Sequence, residues 1–262
     1  GSLLDHDTYS FEEARPALAR IKKAGIPLVL ATSKTRVEIE VLQTELGIRD
    51  PFIVENGAAV FFPTVYSDFR LEKAQKVPPY LVVVLGRPYE EIRCFFDVLK
   101  ERFPVQGFGD LSVEDVARLT GLPLQKALWA REREFTEPFV LREPGDLAEI
   151  EKWAEREGLK VTTGGRFHHL ISAGQDKGLA VELTRDIFSA SCHEGIVSVA
   201  LGDSLNDLPM LESVDIPVLI PQWSGEYLDI RMSRLRKAKY PGSRGWSEAV
   251  EKLIDELQEE TD

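Results

Sequence analysis

The chain has 262 residues, of which 43% are hydrophobic and 29% are charged, and its formal net charge is −12 at pH 7. This composition excludes a disordered chain, and no apolar run approaches the roughly 20 residues that a membrane helix needs. The acidic balance argues against a general nucleic-acid binder, which needs a basic face for phosphates, but is compatible with a small anionic substrate. The two cysteines, Cys94 and Cys192, are too few for a disulfide framework, so we expect reduced thiols and a cytoplasmic protein.

The first part of the chain alternates helices with short apolar strands. The predicted elements are a helix between Ser10 and Gly25, a strand over 26–31, a helix over 35–46, a strand over 51–54 and a hairpin strand over 58–62. A short continuous apolar run is typical of a parallel strand buried on both faces. The alternation therefore predicts an α/β fold with a doubly wound, Rossmann-type parallel sheet.

The pattern changes at Val77-Pro78-Pro79, which is typical of a linker. The next predicted elements are strands over 80–85, 139–141, 159–162 and 167–171, and helices over 90–102, 113–120, 124–131 and 146–157. This set predicts a separate α+β domain with an antiparallel sheet, inserted at 79–175.

From residue 176 the parallel pattern resumes. The predicted elements here are helices over 177–189, 208–213 and 246–257, and strands over 196–201 and within 214–220. Residues 222–245 form a basic loop region, for which a solvated face is the default interpretation. The core domain is thus predicted over 1–78 and 176–262.

The strongest chemical pattern is Gly202-Asp203-Ser204-Leu205-Asn206-Asp207, directly after a predicted buried strand. Ligands of open parallel sheets bind beyond the carboxyl ends of the strands. Asp203 and Asp207, with Asn206 and the flexible Gly202, offer oxygen ligands for a hard cation such as Mg²⁺. The alternative is an aspartate-rich turn that caps the next helix.

A second polar segment, Ala31-Thr32-Ser33-Lys34-Thr35, also follows a predicted strand. The hydroxyls of Thr32 and Ser33 and the amides at the start of the next helix can bind an anion, and Lys34 adds positive charge. By itself, however, the segment is more typical of an ordinary helix cap.

Two further segments place polar groups at element ends. Lys177, in Asp176-Lys177-Gly178, opposes the dipole of the helix that it begins, which a phosphate or carboxylate would compensate. The alternative is a solvated lysine. Glu55-Asn56-Gly57 is equally compatible with a functional polar segment and with an Asn-Gly turn.

The adjacent histidines His168 and His169 follow Gly164-Gly165-Arg166. Neighbouring residues on a strand face opposite sides, so at most one of the two points into a given cleft. The sequence does not decide which.

Taken together, these hydroxyl, ammonium and carboxylate groups fit magnesium-assisted phosphoryl transfer. The chain resembles the haloacid-dehalogenase-like phosphatases. Leu28-Val29-Leu30-Ala31-Thr32 resembles their second motif, Lys177 their third, and Gly202-Asp203 with Asp207 their fourth. An inserted cap between the second and third motifs is the arrangement of the Cof-type sugar-phosphatase subgroup.

Within that family the chain more closely resembles the mannosyl-3-phosphoglycerate phosphatases. The segments that carry this resemblance are 32–36, 52–57, 109–111, 117–122, 133–139, 164–169 and 202–207. The resemblance implies a cytoplasmic enzyme of mannosylglycerate biosynthesis, a route to a compatible solute, with a small anionic phosphorylated sugar as its substrate.

The resemblance also implies roles for particular residues. Thr32 and Lys177 would act on the phosphoryl group, and Asp203 and Asp207 would hold Mg²⁺. The substrate-binding candidates are Ser33, Lys34, Asn56, Arg133, Arg166, His168 (with His169 as the alternative), Ser204 and Asn206.

One departure concerns the first family motif, Asp-x-Asp-Gly-Thr/Ser, whose aspartates are the nucleophile and the general acid/base. Gly1-Ser2-Leu3-Leu4-Asp5 resembles the residues that follow this pair. We therefore expect the natural chain to extend upstream of Gly1, and the chain without that extension to be inactive. The alternative is that Gly1-Ser2 is a cloning scar and that the domain lacks this motif.

Two other functions remain open. One is another phosphatase of this family, acting on glucosyl-3-phosphoglycerate, sucrose phosphate or a different phosphorylated sugar. The other is a non-enzymatic module that binds phosphorylated sugars. The sequence does not determine the oligomeric state.

Overall fold

The computed structural model describes residues 2–5, 8–143, 147–164, 167–192 and 195–259. The helices are α1 (Arg15–Ala24), α2 (Arg36–Leu46), α3 (Tyr89–Lys100), α4 (Val113–Thr120), α5 (Leu124–Arg131), α6 (Leu147–Arg156), α7 (Lys177–Ser191), α8 (Leu208–Glu212) and α9 (Gly242–Glu259). The strands are β1 (Leu30–Ala31), β2 (Phe52–Val54), β3 (Ala59–Pro63), β4 (Gln75–Val77), β5 (Tyr80–Val84), β6 (Val105–Gly107), β7 (Glu137–Leu141), β8 (Leu159–Gly164), β9 (Phe167–Ser172), β10 (Val199–Gly202), β11 (Ile216–Leu219) and β12 (Arg236–Lys237).

The chain divides into two compact units, Gly1–Leu28 with Cys192–Asp262 and Val29–Ser191. The first unit contains a parallel sheet of order β10-β11-β12. The apolar faces of α1 and α9 bury Ile21, Trp246 and Leu253 together with Val218 of β11. This packing holds in place the loop that follows β10.

The second unit contains a five-stranded sheet of order β1-β2-β3-β5-β4. Only β1 and β2 are parallel, and the other neighbours are antiparallel. The helix after β1 begins at a capping box, in which the Thr35 hydroxyl accepts from the Glu38 amide and the Glu38 carboxylate accepts from the Thr35 amide. The predicted helix over 35–46 is thereby confirmed, and its cap holds the segment 32–35 at the end of β1.

The same unit contains an antiparallel four-stranded sheet of order β6-β7-β9-β8. Phe96 of α3 and Ile150 of α6 pack on Phe139 of β7 and Leu170 of β9, and all four side chains are fully buried. The antiparallel pairing that the sequence predicts for this segment is confirmed.

Tyr80–Val84 differs from its predicted place. We expected this strand to belong to the inserted domain, but it pairs with β3 and β4 in the five-stranded sheet. The reason is local, because it lies antiparallel to β4, the segment just before it. The predicted domain boundaries at 79 and 175 stay a prediction.

The basic region 222–245 is more ordered than a loop, because it contains β12 and the start of α9. Arg236 pairs with Glu256 of α9, as expected for a solvated basic face. Both cysteines are exposed and free of disulfides. Within the described ranges, every helix is too short or too polar to span a bilayer.

Candidate active site

The polar loop of the first unit begins where β10 ends, at Gly202. One carboxylate oxygen of Asp207 accepts hydrogen bonds from the amides of Asp203 and Ser204, both at 3.1 Å, and from the Ser204 hydroxyl at 2.7 Å. A Cβ on Gly202 would lie 2.6 Å from the Cβ of Asp207, so the turn requires glycine. Asp207 therefore orders the loop, as the helix-cap interpretation expects, and this does not test its role as a metal ligand.

Asp203 presents its carboxylate beside the N-terminal segment. Its Oδ1 accepts a hydrogen bond from the Ser2 hydroxyl at 2.7 Å, and the side chain is partly exposed, whereas Asp207 is buried. Ser204 and Asn206 are hydrogen-bonded to each other on the same turn. All four predicted metal or substrate residues of this segment thus share one short loop.

These side chains fit a magnesium ion by their chemistry. Within the part of the chain that is described, no three His, Cys, Asp or Glu side chains are grouped as a metal site. Mg²⁺, however, is usually held by only one or two carboxylates, with water and substrate phosphate completing the octahedron. The two carboxylates of Asp203 and Asp207 match that donor set.

In the second unit, the loop after β1 is held to the loop after β2 by backbone hydrogen bonds. The Asn56 amide donates to the Thr32 carbonyl at 2.9 Å, and the Glu55 amide donates to the Lys34 carbonyl at 3.1 Å. The Thr32 hydroxyl accepts from the Lys34 amide at 3.2 Å. The two predicted polar segments are therefore neighbours, as expected for consecutive parallel strands.

Lys34 has a charged partner that its sequence pattern does not single out. Its ammonium lies 2.7 Å from the carboxylate of Glu38, one turn further along α2. The sequence predicts that the charge of Lys34 is offered to an anion, but this charge is already paired with the carboxylate of Glu38. Substrate binding by Lys34 stays a prediction.

Glu55 lies at the centre of the second polar group, a role that its sequence pattern does not reveal. Its carboxylate is completely buried and accepts from the amides of Glu134 and Thr136, at 2.8 and 2.9 Å. Burial raises the pKa of this carboxyl, while Arg133 and the amide donors oppose the shift. Left-handed backbone angles at Glu55 (φ 48°) and Asn56 (φ 61°) mark the turn as unusual.

Arg133 uses its guanidinium to bridge protein groups. Its Nε lies 3.2 Å from Glu55, both Nη atoms donate to the Ser33 carbonyl at 3.1 Å, and the Nε also donates to the Thr136 carbonyl at 3.3 Å. The side chain is only 3% exposed. These contacts tie the segment before β7 to the loop that carries Ser33, while substrate binding by Arg133 stays a prediction.

Lys177 is the first residue of α7 and is only 5% exposed, so the alternative of a solvated lysine is wrong. The backbone just before it packs tightly on Gly57 (φ 89°), because a Cβ there would lie 2.0 Å from the Asp176 carbonyl oxygen. Gln175 donates to the Glu55 carbonyl at 3.0 Å. The loop over 55–57 thus sets the position of the start of α7.

The two histidines have different surroundings. His168 is hydrogen-bonded to the Thr163 hydroxyl at 2.9 Å, and its ring centroid lies 5.5 Å from that of Phe139 in the apolar core. His169 is 5% exposed, and burial together with the positive charges of Arg133 and Lys177 lowers its pKa to about 3. Arg166, the third candidate of this segment, lies outside the described residues.

The predicted residues of the second unit lie on loops that contact one another directly. The contacts of Glu55 and of the residues beside it connect the positions predicted for this unit, which are Thr32, Ser33, Lys34, Asn56, Arg133 and Lys177. The predicted residues of the first unit share the loop after β10. The second unit supplies hydroxyl, amide and ammonium groups, and the first unit supplies carboxylates. Both kinds of group are used in phosphoryl transfer.

Comparison with known proteins agrees with this chemistry. The family model of haloacid dehalogenase-like hydrolases matches residues 1–75. A glucosyl-3-phosphoglycerate/mannosyl-3-phosphoglycerate phosphatase of Persephonella marina is 50% identical over 98% of this chain and 96% of its own. A mannosyl-3-phosphoglycerate phosphatase of Pyrococcus furiosus is 35% identical over 81% of this chain and 85% of its own.

The fold is also found among solved structures. A haloacid dehalogenase-like hydrolase from B. subtilis superposes with a TM-score of 0.66 over 96% of both chains, at 19% identity. The predicted α/β fold class and the predicted family resemblance are thereby confirmed. The chain belongs to the phosphatases of the haloacid dehalogenase-like hydrolase family.

Proposed function

We propose that this protein is a cytoplasmic, Mg²⁺-dependent phosphatase that converts mannosyl-3-phosphoglycerate into mannosylglycerate and phosphate. The observation that carries the proposal is that backbone contacts bring Thr32, Asn56 and Lys177 together. The Asn56 amide donates to the Thr32 carbonyl at 2.9 Å, and Gly57 packs on the backbone at the start of α7. The names of the relatives from Persephonella marina and Pyrococcus furiosus support the substrate.

In this proposal the residues of the second unit bind the phosphoryl group. The Thr32 hydroxyl donates to a phosphoryl oxygen, and Lys177 neutralises negative charge as phosphorus is attacked. The family resemblance implies transfer through an aspartyl-phosphate that water then hydrolyses. Ser33 and Asn56 contribute further polar contacts to the substrate.

The residues of the first unit would hold the metal. Asp203 and Asp207 would coordinate Mg²⁺, and Ser204 and Asn206 would contact the substrate. When bound, the ion polarises phosphoryl oxygens and offsets their charge. Asp207 also keeps the loop in shape through the hydrogen bonds described above.

Glucosyl-3-phosphoglycerate is a second candidate substrate. The relative from Persephonella marina, whose match covers 98% of this chain, is named for both the glucosyl and the mannosyl compound. The two sugars differ only in the configuration at one carbon, so a site that reads the shared phosphoglycerate part would accept both.

The test is phosphate release by the natural full-length protein with Mg²⁺, from both phosphoglycerates, sucrose phosphate and other sugar phosphates. We expect a strong preference for the phosphoglycerates and loss of activity in Asp203→Ala. Asp229→Asn, at an exposed position of the same unit, is the control and keeps its activity. Comparable release from many unrelated sugar phosphates would contradict the proposed specificity, and an active Asp203→Ala variant would contradict the metal role.

A further inference from the structure

The two faces of the four-stranded sheet have different coverings, and His168 and His169 lie on opposite faces. His168 pairs directly with Phe139 across the strands. Phe139 belongs to the apolar cluster under α3 and α6, so this face is the covered core of the segment. His168 is engaged there with Thr163 and Phe139.

The opposite face is turned toward the start of α7. His169 lies directly opposite Thr162 in the register, and Lys160 lies two residues from Thr162 on the same face. The ammonium of Lys160 lies 3.8 Å from a carboxylate oxygen of Asp176, which immediately precedes Lys177. The face that carries His169 therefore looks toward the residues proposed to bind phosphate.

The imidazole of His169 is buried but not fully satisfied. Its Nδ1 has no hydrogen-bond partner among the described residues, although the residue is only 5% exposed. Burial and the cations Arg133 and Lys177 keep the ring neutral, with a pKa of about 3. A neutral imidazole has one donor and one acceptor nitrogen, and a buried polar atom without a partner is uncommon away from functional sites.

We infer that His169 is a substrate-recognition residue, whose neutral ring forms a hydrogen bond with a hydroxyl group on the sugar part of the substrate. A hydroxyl suits this ring because it can both donate and accept. The anionic part of the substrate is matched instead by the adjacent cations. This inference rests on the proposed function. It adds that His169 distinguishes leaving groups that carry hydroxyl groups from leaving groups that carry none.

The test compares two substrates in the natural full-length protein. Mannosyl-3-phosphoglycerate carries hydroxyl groups on its leaving group, whereas p-nitrophenyl phosphate carries none. His169→Phe should lower kcat/KM for the first about 10- to 100-fold, as expected when a buried hydrogen bond is lost, and leave kcat/KM for the second within about twofold. His169→Asn keeps a donor and an acceptor and should recover much of the loss.

The control is Thr163→Val, an exposed position on the opposite face, which should leave the ratio of the two kcat/KM values as in the wild type. An equal fall for both substrates in the two His169 variants, or no fall in either, would overturn the inference. If the wild type rejects both phosphoglycerates, the proposed function fails separately. The same ratio is then measured with the sugar phosphate that the enzyme prefers, and an unchanged ratio again overturns the role of His169.

Discussion

Glu55 and Arg133 form a buried ion pair, in which the Arg133 Nε lies 3.2 Å from a carboxylate oxygen of Glu55. The Arg133 side chain is 3% exposed and the Glu55 side chain 0%. The carboxylate also accepts from the backbone amides of Glu134, Phe135 and Thr136. One side chain thereby anchors the whole segment before β7 to the loop after β2.

We expect Glu55→Gln to destabilise the protein strongly. The substitution leaves Arg133 as a buried charge without its counter-ion, which typically costs about 3–5 kcal/mol. Urea unfolding, followed by circular dichroism, measures the change in the free energy of unfolding.

The matched control is Glu12→Gln, which removes the carboxylate of the exposed pair that Glu12 forms with Arg15 at 2.6 Å. Exposed pairs contribute little, so this variant should unfold like the wild type. A loss in Glu55→Gln no larger than in Glu12→Gln would show that the buried pair does not anchor the segment.

We expect Gly57→Ala to impair both stability and activity. Its φ of 89° is unfavourable for alanine, and the new Cβ would lie 2.0 Å from the Asp176 carbonyl oxygen and 2.9 Å from the Lys177 nitrogen. The start of α7 must therefore shift, and kcat should fall together with the free energy of unfolding.

Gly25→Ala separates the two causes of that loss. Gly25 has a similar positive φ of 66°, but a Cβ there would meet nothing within 4 Å. Its variant should lose only the backbone cost of about 1–2 kcal/mol and keep full activity. Equal losses in the two variants would rule out the packing of Gly57 on Asp176.

We expect His169 to make the protein less stable in acid. Its pKa falls from 6.5 to about 3 on folding, so between these values only the unfolded state binds the proton. Stability therefore rises with pH across this window and is lost as the pH falls. His169→Asn removes this dependence, and the wild type should show an additional slope of up to about 1.4 kcal/mol per pH unit.

Urea unfolding of both proteins at several pH values between about pH 4 and about pH 6 measures that difference in slope. The comparison cancels the other titrating groups, because both proteins contain them. Parallel curves would mean that the His169 ring is protonated equally in the folded and unfolded states.

We expect Asp203→Asn and Asp207→Asn to differ in stability but not in their response to metal. We expect Mg²⁺ to raise the Tm of the wild type, and both substitutions should abolish that rise, since each removes a proposed carboxylate ligand. Only Asp207→Asn should also lower Tm without metal, because its carboxylate accepts three hydrogen bonds within the loop. An undiminished Mg²⁺ response in either variant would contradict its role as a ligand.

The local elements and the chemistry of the polar loops could be predicted from the sequence. The pattern of apolar residues located α2, α4, α5 and the hairpin of β2 and β3, because periodicity and turn residues are properties of neighbouring positions. The motifs at Thr32, Lys177 and Asp203 likewise indicated a phosphatase of this family, since each lies at the end of a strand or the start of a helix.

The tertiary structure alone decided which partners these residues have. The sequence could not show that Glu55 pairs with Arg133, or that Gly57 packs on the backbone at the start of α7, because these pairs lie far apart in the chain. It identified His168 and His169 as residues on opposite faces of a strand, but the packing of α3 and α6 decided which face is covered. The residue types therefore determined the chemistry, while long-range packing determined which of these groups lie next to one another.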